Sequence, residues 1–229
     1  MDDLEAWVSD LNPDIIGVTE SWAKPSILDS ELALAGYDLF RRDRPVDREG
    51  GGVLLYIRSE LNAIQCELSN SFPEQVWCYF EDTNNVKCYI GVCYRTPNAE
   101  IFGSPNHHLL QDVLKELGTT KKHFMLMGDF NYRFMSWPPH SDDNVITRDA
   151  GDFCECVDDN FYTQHVDIHT RNDAILDLVI TDEPDMIHDL VDIGLFPGSD
   201  HKALTWKLEV VTTHETSTRQ IRDYGKSGL

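Results

Sequence analysis

Basic residues are scarce in this chain. Against 40 Asp and Glu stand 19 Lys and Arg, a formal net charge of −21 over 229 residues. A protein that grips nucleic acid by neutralising phosphates ordinarily shows a basic face, because released counterions supply most of the non-specific affinity. With this balance the excess acid would have to lie away from any nucleic-acid-facing side, and weak, salt-sensitive binding is expected. Long apolar runs are lacking too: none approaches the ~20 residues needed to span a bilayer, so no membrane partner is expected. The acidic opening Met1-Asp2-Asp3 does not read as a targeting peptide. Six cysteines form no C-x-x-C pair and follow no secretory leader, which predicts reduced thiols in nucleus or cytoplasm rather than secretion. Cys154 and Cys156 flank Glu155 in a predicted helix, poor spacing for zinc. Gly50-Gly51-Gly52 is not followed by Lys-Ser/Thr, so it reads as a tight, close-packed turn rather than a phosphate cradle. No G-x-S-x-G elbow accompanies Ser199-Asp200-His201, which argues against a serine nucleophile. Internal repeats are absent.

What the chain does have is Leu126-Met127-Gly128-Asp129-Phe130-Asn131. This is an apolar strand delivering a carboxylate and a carboxamide, two residues apart, to its exposed tip. Strand alternation predicts that Asp129 and Asn131 share a face, with Phe130 turned into the packing. A carboxylate that takes a proton from water, beside an amide that holds the attacking atom or a phosphate oxygen, suits phosphodiester hydrolysis. The same tetrapeptide occurs at ordinary strand-to-loop corners, so its partners decide. Asp14 to Val18 is a short strand ending at Thr19-Glu20-Ser21-Trp22, where Glu20 can hold a hard cation. Val86 to Tyr94 leads into Tyr94-Arg95-Thr96-Pro97-Asn98. Asp177 lies inside Ile175-Leu176-Asp177-Leu178-Val179-Ile180, and a carboxylate buried there requires a partner. Gly198-Ser199-Asp200-His201 precedes the strand Ala203 to Leu208. Arg41, Arg42, Arg44, Arg48 and Arg95 are the candidate basic contacts, with solvated loop charges as the alternative reading.

The remaining pattern alternates strands and helices. Leu4, Trp7, Val8 and Leu11 predict a helix over 2–11, stopped by Asn12-Pro13. Val53 to Ile57 is a strand, and Val76 to Phe80 with Val86 to Tyr94 a hairpin. Leu109, Leu110, Val113, Leu114 and Leu117 predict an amphipathic helix from His107, ended by Gly118. A long polar loop is expected over 136–144 and a helix over 149–157. These elements predict an α/β (α+β) fold of one domain over 1–211. The polar stretch 212–229 is expected to be a flexible tail.

In five motifs, correctly ordered, the chain resembles the endonuclease/exonuclease/phosphatase superfamily. They are Asp14-Ile-Ile-Gly-Val-Thr-Glu-Ser-Trp22, Gly50-Gly-Gly-Val-Leu-Leu-Tyr-Ile57, Val92-Cys-Tyr-Arg-Thr-Pro97, Ile175-Leu-Asp-Leu-Val-Ile180 and Gly198-Ser-Asp-His201. Their wording is similar to the apurinic-type endonuclease domain of non-LTR (LINE-type; jockey, CR1 and L2) retrotransposons. The likeness covers roughly residues 1 to 210. It implies a four-layer sandwich of two mostly antiparallel sheets flanked by helices. It also implies a first strand ending on an asparagine beside the metal. That strand precedes the helix with which this chain starts, so an N-terminally truncated fold is expected. Arg222-Asp-Tyr-Gly-Lys226 resembles the start of a linker to a reverse transcriptase, a partner domain implied for a full-length parent. No protein partner can be deduced.

The resemblance also assigns roles. Glu20 would hold Mg²⁺, or Mn²⁺, with Asp200 close by. Asp129 would activate water and Asn131 fix its approach. His201, held by Asp177, would stabilise charge on phosphorus, and Tyr94 would donate to a phosphate oxygen. Arg95, Asn98 and Arg42 would bind substrate. DNA is the implied substrate and a nick with a free 3′-hydroxyl the product. Three readings stay open: such a nicking endonuclease, another phosphoesterase of the superfamily, or a catalytically impaired remnant acting as a binding module. The expected missing strand favours the last.

Overall fold

The computed structural model describes residues 1–44, 50–70, 72–97, 106–121, 123–133, 135, 137 and 148–210. Arg48, Asn98, most of the 136–144 loop and the 212–229 stretch lie outside the described residues.

Helix α1 (Asp2–Leu11) ends where Asn12, at φ 50°, turns left-handed and returns its N–H to the Val8 carbonyl. Asn12 thus acts as the stop that the Asn-Pro pair predicts. Strands β1 (Ile15–Thr19), β2 (Tyr37–Arg42) and β3 (Val53–Arg58) follow, with the one-turn helix α2 (Asp29–Leu32) between β1 and β2. They form an antiparallel sheet in the order β1-β3-β2. Its central strand is buried on both faces, and alternation divides its side chains. Val53, Leu55 and Ile57 join the main core, while Leu54 and Tyr56 pack with Leu4 and Val8 of α1.

A six-stranded sheet lies against the other face. It comprises β4 (Ile64–Cys66), β5 (Gln75–Glu81), β6 (Lys87–Tyr94), β7 (Phe124–Asp129), β8 (Thr163–Gln164) and β9 (Asp177–Thr181), in the order β4-β5-β6-β7-β9-β8. Only β6 and β7 run parallel, joined through helix α3 (Asn106–Thr120). The β5–β6 turn is closed by Asp82, whose Oδ1 accepts the N–H groups of Asn84 and Val86 at 2.8 and 2.7 Å. Helices α3 and α4 (Arg148–Asp159) cover the far face through Leu110, Val113, Leu114, Leu117, Phe153 and Val157. Strands β10 (Ile187–Leu195) and β11 (Lys202–Leu208) form a separate antiparallel pair. Trp206 of β11 donates its indole N–H to Met125 Sδ of β7 at 3.2 Å. The layers are therefore helix, sheet, sheet, helix: the expected sandwich, with the smaller layer divided into three strands and two.

One expected boundary is corrected. Helix α3 does not stop at Gly118 but continues to Thr120. The glycine is there because the Tyr162 hydroxyl, donating to the Leu114 carbonyl at 2.9 Å, passes 2.7 Å from where a Cβ would stand. Cys154 and Cys156 are buried thiols in α4, with Cys154 pushed up to about 11 by burial. A metal-binding role for them finds no support among the described residues. No helix there is long and apolar enough to cross a membrane.

Candidate active site

Strand register assembles the site. Tyr94 on β6 lies opposite Asp129 on β7, and Asp129 opposite Asp177 on β9. Three consecutive strands thus bring three polar side chains abreast at one end of the sheet. Asp129 shares its face of the strand with Met127 and Met125, which meet Gly17 of β1 and Trp206 of β11, so its carboxylate points between the layers. It is 3 % exposed.

Asn131 reaches Asp129 by a different route from the alternation expected for it. The strand ends at Asp129, and Asn131 sits beyond it at φ 52°. That left-handed turn folds the residue back. Its backbone N–H donates to Asp129 Oδ1 at 3.0 Å and its Nδ2 to Oδ2 at 2.9 Å. Nδ2 also donates to the Arg95 carbonyl at 2.9 Å. Phe130 is buried against Phe153 as expected, with ring centroids 5.4 Å apart.

His201 enters from the loop before β11. Its N–H donates to Ser199 Oγ at 3.0 Å, and its Nδ1 lies 2.8 Å from Asp177 Oδ2. Asp129, Asp177 and His201 offer ligand atoms within 4.8 Å of one another, the group among the described residues able to hold a metal ion. Burial, then repulsion from Asp177, pushes the Asp129 carboxyl up to about 8, against the pull of His201 and the Asn131 N–H. Burial opposes the His201 imidazolium, but the hydrogen bond and charge of Asp177, with Asp129, outweigh it and raise the histidine.

Both shifts have one consequence for stability. A group whose folded pKa is raised stabilises the fold fully below its unfolded value and loses that contribution as pH rises through the folded one. For Asp129 that window runs from roughly 4 to 8. Without divalent cations, the Tm of the native protein is expected to fall across it more steeply than that of Asp129→Asn. Thermal melts at pH 4, 6 and 8 measure this; parallel slopes would show that Asp129 is ionised throughout.

Glu20 closes the other side, at φ 52° just past β1. Tyr94 donates its hydroxyl to Oε1. Gly51 N and Trp22 Nε1 donate to Oε2 at 2.7 and 2.9 Å. The glycine run is therefore a carboxylate seat. A Cβ on Gly51 would fall 2.2 Å from the Arg44 guanidinium. Gly52 N serves a second carboxylate, Glu74, at 2.8 Å.

Glu74 is what sequence reasoning missed at this site, and it receives Arg44, expected there as a basic contact. Glu74 is 6 % exposed. It receives Arg44 through Nε at 3.1 Å and Nη2 at 2.8 Å, and the Thr96 hydroxyl at 3.1 Å. The Arg44 guanidinium carbon lies 5.5 Å from the Tyr94 ring centroid. Nothing in Phe72-Pro73-Glu74-Gln75 marks a buried acid except its place before the apolar run Val76 to Phe80.

The other expected residues stand elsewhere. Asp200 pairs with Arg171 at 2.5 Å, outside the Asp129, Asp177 and His201 group. Arg42 extends to Glu67 at 3.3 Å, and Arg41 to Asp43 and Asp29. Arg95, expected on the substrate, is buried. Its Nη1 donates to the Phe130 and Asn131 carbonyls, both at 3.2 Å, and its guanidinium carbon lies 4.1 Å from the Tyr132 ring centroid. It braces the turn that presents Asn131.

Comparison with known proteins fits this arrangement. The fold is similar to an AP endonuclease from Leishmania major (13 % identity, TM-score 0.71, covering 91 % of this chain and 82 % of that one). It is similar to the endonuclease domain of TRAS1, a telomere-specific non-LTR retrotransposon (14 %, TM-score 0.65, 92 % and 93 %). It is also similar to the APE2 catalytic domain of Xenopus laevis (15 %, TM-score 0.61, 92 % and 89 %). No curated protein matches the sequence. The family model described as Endonuclease/Exonuclease/phosphatase family matches residues 1–201. With most of its length matched, and paired carboxylates, histidine and tyrosine at one end of a two-sheet sandwich, the chain belongs to the endonuclease/exonuclease/phosphatase family.

Proposed function

We propose that the chain is a Mg²⁺-dependent phosphodiesterase acting on DNA, a nicking endonuclease of the non-LTR retrotransposon type that leaves a 3′-hydroxyl end. One observation carries the reading: Tyr94, Asp129 and Asp177 stand abreast on adjacent strands, with Asn131 and His201 hydrogen-bonded to the carboxylates. Likeness to an AP endonuclease and to a retrotransposon endonuclease domain supports the choice of DNA.

A hard divalent cation fits the donor set. Oxygen ligands suit Mg²⁺ or Mn²⁺, and the mutual repulsion of Asp129 and Asp177 is what a nearby cation would relieve. Asp129 and Asp177 would hold it; Glu20 would join only on releasing one of its donors, and Asp200 only on leaving Arg171. When bound, it supplies Lewis-acid polarisation of the phosphoryl and leaving oxygens.

The chain's own residues do the rest. Asp129, as carboxylate, accepts a proton from the attacking water, and Asn131 keeps both its oxygens oriented. His201, held in one orientation by Asp177, donates to a non-bridging phosphate oxygen. Tyr94, whose hydroxyl burial and Glu20 hold in the protonated form, would donate to another on turning its one O–H from Glu20. Each such placed donor contributes ~3 kcal/mol to the transition state.

Supercoiled-plasmid nicking with Mg²⁺ tests the reading. His201→Ala is expected to lower kcat ~10²-fold or more, and Asp177→Asn by a similar factor. Because they act as one unit, the double variant should be little worse than either single one. Additive losses would separate the two residues. A panel of other phosphoesters under the same conditions settles substrate class. With arginines 41, 44 and 95 engaged by the protein's own acceptors, few phosphates are neutralised, so KM for DNA should be high and rise only shallowly with salt.

A further inference from the structure

Trp22 has no role so far except to tether Glu20, and its setting is unusual. The residue is 63 % exposed, while Trp77 is buried and Trp7, Trp137 and Trp206 are half-buried. It is nonetheless held firmly. Its backbone sits at φ 55° and its N–H donates to the Gly51 carbonyl at 2.9 Å. Its indole N–H is fixed on Glu20 Oε2 at 2.9 Å. Its ring edge rests by the glycine loop, where a Cβ on Gly50 would lie 3.7 Å from Trp22 Cε2 and 3.2 Å from Glu20 Oε2. A solvent-facing indole that merely filled a turn would need none of these constraints. The outcome is a rigid, water-exposed apolar plate, one hydrogen bond from Glu20 and two from Tyr94.

We propose that Trp22 is a nucleobase-stacking subsite that receives the face of an unstacked base flanking the scissile phosphate. The inference rests on the phosphodiesterase reading and adds to it. A planar apolar group within a nucleotide's length of a phosphodiester is a base, and the plate stands at that remove from the catalytic carboxylates. Stacking on an aromatic ring is tolerant of sequence, since every base has a π-face. It also needs no basic side chain. An unstacked base is easiest to supply where the duplex opens readily, so the subsite favours flexible or distorted steps over a uniform helix.

The test compares oligonucleotides that carry either a base or an abasic residue beside the target linkage, on each side in turn. Binding is read by fluorescence anisotropy with Ca²⁺ in place of Mg²⁺, and cleavage separately with Mg²⁺. For the native protein, removing the base on one side should weaken binding about tenfold. For Trp22→Ala the same removal should change binding less than twofold. Trp22→Phe keeps a ring without the N–H and should retain most of the base effect. Trp22→Gln keeps an N–H for Glu20 without a plate and should lose it. An equal penalty in native and Trp22→Ala proteins overturns the proposal. So does the pattern in which Gln behaves as native and Phe as Ala, and so does failure of the native protein to bind either oligonucleotide. The binding arm needs no turnover, so binding with the base effect but without cleavage counts against the hydrolase reading alone.

Discussion

Asp129→Ala is expected to lower Mg²⁺-dependent nicking by ~10³-fold or more, the upper part of the range for a placed acid–base group. Asp129 is where the site's elements meet: opposite Tyr94 on one strand and Asp177 on the other, and bound twice by Asn131. No neighbour can substitute, because Asp177 is engaged by His201 and Glu20 by three donors. Loss of folding must be kept apart from loss of chemistry. Truncation leaves two Asn131 donors without their acceptor, a cost of about 1–3 kcal/mol, while deleting a buried, repelled carboxylate offsets part of it. Asp129→Asn keeps one acceptor and much of the shape, so it should fold and remain equally inactive. A folded Asp129→Asn protein that nicks within tenfold of the native rate would refute the assignment.

Gly128→Ala is expected to be the most destabilising single-methyl change on the sheet, by about 4 kcal/mol from overpacking and backbone strain together. A Cβ there would stand 1.9 Å from the Cys93 carbonyl oxygen, 2.9 Å from its carbon and 3.0 Å from its nitrogen. All three are backbone atoms of the neighbouring strand and cannot swing aside as a flexible side chain would. The φ of 147° adds to the difficulty, since side chains rarely adopt it. Relief would require β6 and β7 to part next to the Tyr94 and Asp129 pair, so activity should fall with stability. Urea denaturation measures the effect; a change under ~1 kcal/mol would mean that the strands separate freely there.

Much of this was legible because buried strands and their termini leave strong marks. Strand β3, apolar at five consecutive positions, and β7, ending in Gly-Asp, announce themselves. The polar residue just past each such strand is a natural place for chemistry. Strand β10 left no such mark. Its register breaks between His188 and Val191 and again between Asp192 and Leu195, with Asp189 and Gly194 at positive φ. Each irregularity resets the two-residue alternation on which a reader depends. Strand β2 was hidden by Arg41 and Arg42; Arg42 is a solvated charge, but Arg41 looks like one only until Asp29 and Asp43 are seen to receive it. The partner of Arg44 was unreadable for a related reason. Glu74 lies thirty residues along the chain, and ion pairs between distant loops follow no period. Asn131 lies beside Asp129, as alternation predicts, but a left-handed turn rather than continued extension brings it back.

The Tyr94–Glu20 contact has a consequence for how this protein acquires its chemistry. Tyr94 belongs to the six-stranded sheet and Glu20 to the turn after β1 in the three-stranded one. On the proposed function, neither layer alone carries all the assigned side chains, so competence would arise only at their seam. During refolding, turnover should therefore return with the last docking event rather than with secondary structure. Any molecule clasped between the layers would act as a rivet, slowing their separation.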